Sequence, residues 1–192
     1  MLYRTTGSGP ILAGRMSQAA QMLIRQAEVG DELDVARVHV RSWQIGYRSL
    51  LSAKYLDQLI PEDRARKYQF GCTDLGSPRT LVAVDREAIC GFATIVTPHA
   101  PGETAEGELC ALYVDPDWWN RRVGVALVLA ARDALLRRGV RQAHLWVLAG
   151  NQRAERFYRI DGWKTDGLRR TISVWGVAVE ELHYWRKLDA ST

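Results

Sequence analysis

The fold of this chain is decided by residues 109–127, which read LCALYVDPDWWNRRVGVAL. The apolar residues at the start of this stretch predict a buried strand, and those after the polar loop predict a long helix beginning near Gly124 and Ala126. The first backbone N–H groups of a helix have no partner, and the helix dipole adds partial positive charge there. A helix start without bulky side chains, with Arg121 and Arg122 beside it, therefore predicts a site for an anion such as phosphate.

Two common phosphate-binding patterns are absent from the sequence. There is no GxxxxGK[ST] run, and no GxGxxG run follows a strand. A second informative block, residues 145–163, reads LWVLAGNQRAERFYRIDGW. Its apolar run predicts a strand that ends at Gly150, after which Asn151 is suited to capping a helix and Gly162 to ending it.

Together the two blocks resemble the sequence pattern of the GNAT N-acetyltransferase superfamily. Residues 121–126 resemble its [R/Q]xxGx[G/A] pyrophosphate loop, and residues 145–163 resemble its [LV]xVxxxNxxAxxFYxxxGF block, with Trp163 in the last aromatic position. The resemblance extends over about residues 22–188 and implies that the chain binds acetyl-CoA. The residues that it implies for cofactor binding are Leu112, Tyr113, Val114, Arg121, Arg122, Val123, Gly124, Val125, Ala126, Asn151 and Phe157.

The resemblance also implies the catalytic groups. Tyr158 occupies the position of the family tyrosine that faces the CoA sulfur, and a phenol is protonated at neutral pH and can act as an acid. Glu108 is the candidate base, because many members deprotonate the amine from this strand position, and Glu106 is close enough to substitute. A solvent-facing carboxylate at a strand end is the structural alternative for Glu108. Trp43 and Tyr47 resemble residues of acceptor-side helices and are the candidate wall of the acceptor pocket.

Several of these residues also have a purely structural interpretation. The aromatic residues Tyr158, Trp43 and Tyr47 would serve equally in a hydrophobic core. Asn151 has an equally simple role as a helix cap. The pyrophosphate loop departs from the family pattern because Arg122 stands where glycine is frequent. A side chain at that position must either contact the phosphates or point away from them.

The order of predicted elements indicates an α/β fold. A first strand is followed by several helices, a strand hairpin, alternating strands and helices, a strand or loop at 171–179 and a last strand at 180–188. The GNAT fold has this order, so we expect a mixed sheet with helices on both faces and a splayed centre. We expect one domain over residues 22–188, a flexible N-terminal extension at 1–21 and a tail at 189–192.

Composition narrows the classes of function. The 192 residues carry a net charge of +4 without a basic tract that interleaves aromatics, so we expect no nucleic acid partner. No apolar run of about 18 residues is present, so we expect no membrane span. The three cysteines lack metal-ligand spacing, which predicts reduced thiols in a cytoplasmic protein and no metal site. Trp175 and Trp185 are compatible with a homodimer interface, and equally with a buried core.

The sequence therefore predicts an acetyl-CoA-dependent N-acetyltransferase that moves an acetyl group to a primary amine by direct attack in a ternary complex. The acceptor, a small-molecule or peptide amine, is not determined by the sequence because a fold does not fix its substrate. Two alternatives stay open. One is a catalytically inactive CoA-binding regulatory module of the same fold, and the other is a transferase of a longer acyl group.

Overall fold

Seven strands form a mixed sheet in the computed structural model, which describes residues 22–72, 74, 76–97, 106–174 and 176–189. Along the chain, these strands are β1 (Leu23–Gln26), β2 (Arg79–Asp85), β3 (Ala88–Val96), β4 (Glu106–Val114), β5 (Gln142–Leu148), β6 (Lys164–Val174) and β7 (Val177–Lys187). Their order across the sheet is β1-β2-β3-β4-β5-β7-β6. Neighbouring strands are antiparallel except for the parallel pair β4 and β5.

Helices connect the strands on both sides of the sheet. They are α1 (Glu32–Gly46), α2 (Ala53–Leu56), α3 (Pro61–Ala65), α4 (Val123–Leu136) and α5 (Gln152–Ile160). A short 3-10 turn, Pro116–Trp118, leads from β4 towards α4. Pro61 opens α3 at a position where an N–H group would have no partner, which is where a helix tolerates proline.

Different helices cover the two faces of the sheet. Side chains alternate along each strand, so successive residues pack against different helices. Val82 and Phe92 belong to one core cluster with Val35 of α1. Ala83, the next residue after Val82, belongs to the other cluster with Leu127 of α4 and with residues of α5. We call these two sides the α1 face and the α4 face. The expected mixed sheet with helices on both faces is confirmed.

A bulge in β4 changes which face its side chains reach. The pairing of β4 with β3 shifts register where Thr94 pairs with Ala111 and Ile95 pairs with Leu109, which leaves Cys110 as the extra residue. Leu109 therefore packs on the α4 face, whereas Ala111 packs on the α1 face although it lies two residues further along. A bulge of this kind bends the strand and increases its twist.

β4 and β5 separate soon after they begin to pair. Their parallel pairing covers Glu106–Glu108 of β4 and Gln142–His144 of β5. Both strands continue well beyond these residues, so the rest of the β4 edge that faces β5 has no ladder partner in the described strands. The expected splay of the central sheet is therefore confirmed, and it leaves an opening between the two strands.

The C-terminal hairpin is longer than the sequence indicated. We expected a strand or loop at 171–179, and the structure instead forms β6 from Lys164 onwards and pairs it with β7. β6 lies at the edge of the sheet with most of its side chains exposed, so it lacks the apolar alternation that identifies a strand. The predicted extension at 1–21, residues 190–192 of the predicted tail, and Trp175 lie outside the described residues.

Candidate functional site

A cleft of about 760 Å³ occupies the opening between β4 and β5 and is lined by residues of both faces. It brings together most of the residues that the sequence singled out, although they come from four different elements and the loops beside them. Those that line it are Trp43, Tyr47, Leu112, Tyr113, Val114, Arg122, Val123, Gly124, Val125, Asn151, Phe157 and Tyr158.

The start of α4 forms one end of the cleft. Arg122 precedes the helix in the left-handed conformation, with φ of 63°, which explains why glycine is frequent at this position of the loop. Arg122 provides no side-chain cap, so the N–H groups of the first turn are available to a ligand. A Cβ at Gly124 would lie at ordinary contact distance, 3.6 Å from Phe157 and 3.7 Å from Val114. The glycine is therefore not required by packing within the protein, and its missing side chain leaves space in the cleft.

Three arginines line the cleft, namely Arg122, Arg153 and Arg156. In the described part of the chain, none of them has a carboxylate within ion-pair distance. The Arg153 guanidinium carbon lies 3.4 Å from the centroid of the Trp119 ring, and burial lowers the pKa of Arg153. Arg153 and Trp119 were not predicted, because neither stands in a motif position. Cations without counter-ions beside an uncapped helix start favour a ligand with several negative charges.

The open edge of β4 forms the middle of the cleft. The Asp115 N–H bonds to a carbonyl of β3, so the backbone groups of Val114 and Leu112 point the other way, into the opening. The Val114 carbonyl already accepts hydrogen bonds from Trp119 Nε1 at 2.8 Å and Ser42 Oγ at 2.9 Å. The groups left to pair with an extended ligand are therefore the Val114 N–H and both backbone groups of Leu112.

Both ends of α5 are fixed by hydrogen bonds. At its start, Asn151 Oδ1 accepts a hydrogen bond from the Ala154 N–H at 3.1 Å, so the helix cap that the sequence predicted is formed. After its last turn, Asp161 accepts hydrogen bonds from Arg132 Nη1 of α4 at 2.7 Å and from Trp163 Nε1 at 2.9 Å. These contacts hold α5 against the α4 face and thereby fix the side chains that it directs into the cleft.

α5 places the Tyr158 ring in the wall of the cleft. Tyr158 is 7% exposed, and its ring packs edge-on against Phe157 and Trp163. Burial raises the pKa of the Tyr158 phenol above its ordinary value, so the hydroxyl keeps its proton throughout the neutral range. The hydroxyl makes no hydrogen bond to another described side chain. A protonated hydroxyl without a partner can donate a proton to a leaving thiolate in the cleft.

Aromatic side chains form the part of the cleft on the α1 face. The ring centroids of Trp43 and Tyr47 lie 4.8 Å apart, with the two rings edge to face. Burial raises the pKa of the Tyr47 and Tyr113 phenols. The Tyr113 ring stacks on His39 with 4.3 Å between centroids. The side chain of Tyr113, a predicted cofactor residue, is therefore on the face opposite α4, and only its backbone belongs to the β4 edge.

Two residues of the α1 face, Glu181 and Trp146, also line the cleft and were not predicted. Glu181 lies on β7, outside both sequence blocks. Trp146 lies on β5, at a position of the second block where the family pattern specifies no residue. The Glu181 side chain is 15% exposed, and its Oε2 accepts a hydrogen bond from Arg170 Nε at 2.8 Å. The sequence of β7 does not single out Glu181, because Glu180 and Glu181 are each the one carboxylate in their own set of alternating positions.

Three predicted residues, Glu108, Arg121 and Ala126, do not line the cleft. Glu108 lies where β4 and β5 still pair, with its Oε2 3.9 Å from His144 Nε2. The Arg121 guanidinium carbon lies 4.9 Å from the centroid of the Trp118 ring, and the Ala126 N–H is hydrogen-bonded within the first turn of α4. A proton from the cleft would reach Glu108 only through water, and the role of Glu108 as the base stays a prediction.

In the part of the chain that the structure describes, no group of three or more His, Cys, Asp or Glu side chains is arranged to hold a metal ion. None of the helices in the described ranges is both long enough and apolar enough to cross a membrane.

Comparison with known proteins agrees with this geometry. The uncharacterized N-acetyltransferase YuaI of Bacillus subtilis is 28% identical over 129 residues, which cover 67% of this chain and 72% of that protein. The spermidine N(1)-acetyltransferase of Thermoplasma acidophilum is 24% identical over 147 residues, covering 75% of this chain and 91% of that protein. The crystal structure of the PaiA N-acetyltransferase of the same organism, in complex with coenzyme A, has the same fold, with a TM-score of 0.68 and 19% identity over 87% of this chain and 99% of that one.

The model of the acetyltransferase (GNAT) family matches residues 43–163, which make up more than half of the chain. This range contains both sequence blocks, the splayed strands and the helix starts that form the cleft. The chain therefore belongs to the acetyltransferase (GNAT) family.

Proposed function

We propose that this N-acetyltransferase transfers an acetyl group from acetyl-CoA to a primary amine by direct attack in a ternary complex. The observation that carries the proposal is the cleft, which reaches both faces of the splayed sheet. Its α4 face offers an uncapped helix start and three arginines without carboxylate partners among the described residues. Its α1 face offers aromatic walls and a carboxylate. Two substrates can therefore meet between β4 and β5, each approaching from its own face.

Acetyl-CoA has several negative charges at one end and a thioester at the other. We place its phosphates at the first turn of α4, beside Arg122 and Arg153, where the missing side chain of Gly124 leaves room. The amide-containing arm would pair with the open groups of Leu112 and Val114, as a strand pairs with an exposed edge. Coenzyme A in the crystal structure of the PaiA relative supports this choice of donor.

The chemistry assigned to the cleft has three steps, namely deprotonation of the acceptor, attack on the thioester and protonation of the leaving group. The acceptor must first lose the proton of its ammonium form, and in our proposal this proton leaves through water towards Glu108. The amine nitrogen then attacks the thioester carbonyl, so that a C–N bond forms and the C–S bond breaks. The leaving thiolate takes a proton from the Tyr158 hydroxyl, which burial keeps protonated, and the second proton that the nitrogen loses on forming the amide returns to the Tyr158 phenolate. Trp43 and Tyr47 would hold the body of the acceptor.

The acceptor in this proposal is a small-molecule or peptide amine. The spermidine acetyltransferase relative makes polyamines a natural first choice for assay. We place the reaction in the cytoplasm, where thiols stay reduced, because Cys72, Cys90 and Cys110 are all free. We also propose a homodimer through the C-terminal strands, since β6 is an edge strand with exposed side chains. Light scattering on the purified chain would test the dimer.

The experiment that tests the function follows free-thiol release from acetyl-CoA in the presence of primary amines. We expect release that depends on the amine, and we expect Tyr158→Phe to lower kcat by about 10²- to 10⁴-fold with unchanged acetyl-CoA affinity. The matched control is Tyr184→Phe, because the Tyr184 hydroxyl bonds Glu155 at 3.2 Å and Tyr184 does not line the cleft. Glu108→Gln should lower kcat, with partial recovery as the pH rises towards the pKa of the amine.

Other outcomes would separate the alternatives. Binding of acetyl-CoA without thiol release from any amine would favour a catalytically inactive CoA-binding module. Faster turnover of butyryl-CoA than of acetyl-CoA would favour transfer of a longer acyl group. A Tyr158→Phe variant with the kcat of the parent would remove Tyr158 from the mechanism while leaving the donor site intact.

A further inference from the structure

Glu181 is the one carboxylate among the described residues that line the cleft. It lies on β7 opposite Leu148 of β5, and both side chains reach the α1 face because their neighbours Leu182 and Val147 pack on the α4 face. The three cleft arginines come instead from the start of α4 and from α5. The charges along the cleft are therefore separated, with cations at the end assigned to the donor and an anion at the end left for the acceptor.

The surroundings of Glu181 hold its carboxylate in place. Oε2 accepts the hydrogen bond from Arg170 Nε, and the Arg170 guanidinium carbon lies 4.0 Å from the centroid of the Trp146 ring. Glu181 and Trp146 line the cleft, whereas Arg170, which pairs with Glu181, does not. In the described part of the chain, Oε1 of Glu181 accepts no hydrogen bond. One oxygen is thus fixed, and the other is available to a ligand.

The neighbours of Glu181 suit a cationic group. Trp43 and Tyr47 line the same side of the cleft, and aromatic ring faces attract ammonium groups. Val174 and Val179 complete this side with apolar surface. The carboxylate is only 15% exposed and Arg170 engages one of its oxygens, so an ammonium group at the other oxygen adds a second charge-assisted hydrogen bond, whereas an anionic acceptor would be repelled.

We propose that Glu181 binds the ammonium group of the acceptor before acetyl transfer, so that the acceptor class is a cationic primary amine with an apolar or flexible body. This inference rests on the proposed function, because it assigns the acceptor end of the same cleft. Arg170 is a positioning residue, since it acts on the acceptor only by holding Oε2 of Glu181. Glu181 contributes to acceptor affinity, while Tyr158 and the donor contacts act on chemistry and on acetyl-CoA.

The test compares Glu181→Gln with Glu180→Gln. Glu180 is the adjacent residue, is exposed, and pairs with Arg169 at 2.7 Å, so it matches the change in chemistry without lining the cleft. The probes are spermidine, benzylamine and a lysine-containing peptide, which all carry an ammonium group at neutral pH. Glu181→Gln removes one charge-assisted contact and should raise the acceptor KM by about 10- to 100-fold. Glu180→Gln should leave the acceptor KM unchanged, and Glu181→Asp, which keeps the charge, should give an intermediate value.

Acetyl-CoA binding to the same variants separates this proposal from a fold defect. The thermal shift caused by acetyl-CoA should be equal in the parent and in Glu181→Gln, because Glu181 lies away from the donor end. If the parent and Glu181→Gln acetylate a probe with the same acceptor KM, this inference is wrong, while the proposed function stands. Loss of the acetyl-CoA shift in Glu181→Gln also overturns it, in favour of a structural role. A parent that releases no thiol with any probe overturns the proposed function, and this inference with it.

Discussion

Replacing Gly124 with alanine should make the free protein slightly more stable and bind acetyl-CoA less well. The new Cβ would lie 3.6 Å from Phe157 and 3.7 Å from Val114, which is ordinary contact, so the fold accepts it. Gly124 is the second residue of α4 and is not among the glycines with positive φ, so alanine suits its backbone. Such a change typically stabilises a protein by about 0.4–1 kcal/mol, mainly because it restricts the unfolded chain.

The same methyl group should weaken the binding of acetyl-CoA. The methyl group occupies cleft space beside the first N–H groups of α4, which are the groups proposed to contact phosphate. Losing one hydrogen bond to a charged group costs about 1.5–3 kcal/mol, or about 10- to 100-fold in affinity. At a ligand concentration of about 100 times Kd, the parent gains about 2.7 kcal/mol, and a variant with tenfold weaker binding gains about 1.4 kcal/mol. For a chain of this size, these values correspond to shifts in Tm of about 5–11 °C and about 3–6 °C.

Thermal unfolding with and without acetyl-CoA measures both effects in one experiment. The control is Gly139→Ala at the other end of the same helix, where φ is +82° and nothing lies within 4 Å of the new Cβ. Gly139→Ala should lower the Tm of the free protein, because alanine is strained at positive φ, and should keep the full acetyl-CoA shift. If Gly124→Ala kept the full shift as well, the start of α4 would not be the phosphate site.

Two further substitutions probe the backbone of the loop and the attachment of α5. Arg122→Gly should raise the Tm of the free protein, because a non-glycine residue at φ of 63° costs about 1–2 kcal/mol. It should also weaken acetyl-CoA binding, because it removes a cation. A fall in Tm would show that Arg122 makes a stabilising contact. Asp161→Ala should destabilise the protein by about 1.5–3 kcal/mol in chemical denaturation, because Arg132 and Trp163 lose their common acceptor. Asp57→Ala is the control, since the exposed Arg48–Asp57 pair has the same 2.7 Å distance and should contribute at most about 1 kcal/mol. Equal losses of unfolding free energy in the two variants would contradict the importance of burial.

The parts of the fold that could be predicted are those with a local physical cause. Residues 109–127 and 145–163 each predicted a strand, a turn and a helix start, because apolar runs, capping residues and small residues act over a few positions. The structure forms these elements and brings the two helix starts to one cleft. The roles of the residues within the cleft stay predictions until the variants are measured.

The parts that could not be predicted depend on contacts between distant residues. Nothing local marks Cys110 as a bulge, yet the bulge sends Leu109 and Ala111 to opposite faces of the sheet. Glu181 reaches the cleft because β7 pairs with β5, a strand more than 30 residues earlier in the chain. A carboxylate in an alternating strand is normally placed on a solvated face. Its partial burial here is a property of the tertiary structure alone.

The character of Cys110 bears on the choice between direct transfer and an acetyl-enzyme route. Cys110 is the one cysteine among the described residues that line the cleft, and a covalent route would require its thiolate to attack the thioester. Desolvation, followed by the neighbouring Glu108 carboxylate, raises the pKa of this thiol to about 12. At neutral pH the thiol form then predominates, which makes Cys110 a poor nucleophile. The splay of β4 and β5 gives an amine on the α1 face access to a thioester on the α4 face, so direct attack needs no intermediate carrier.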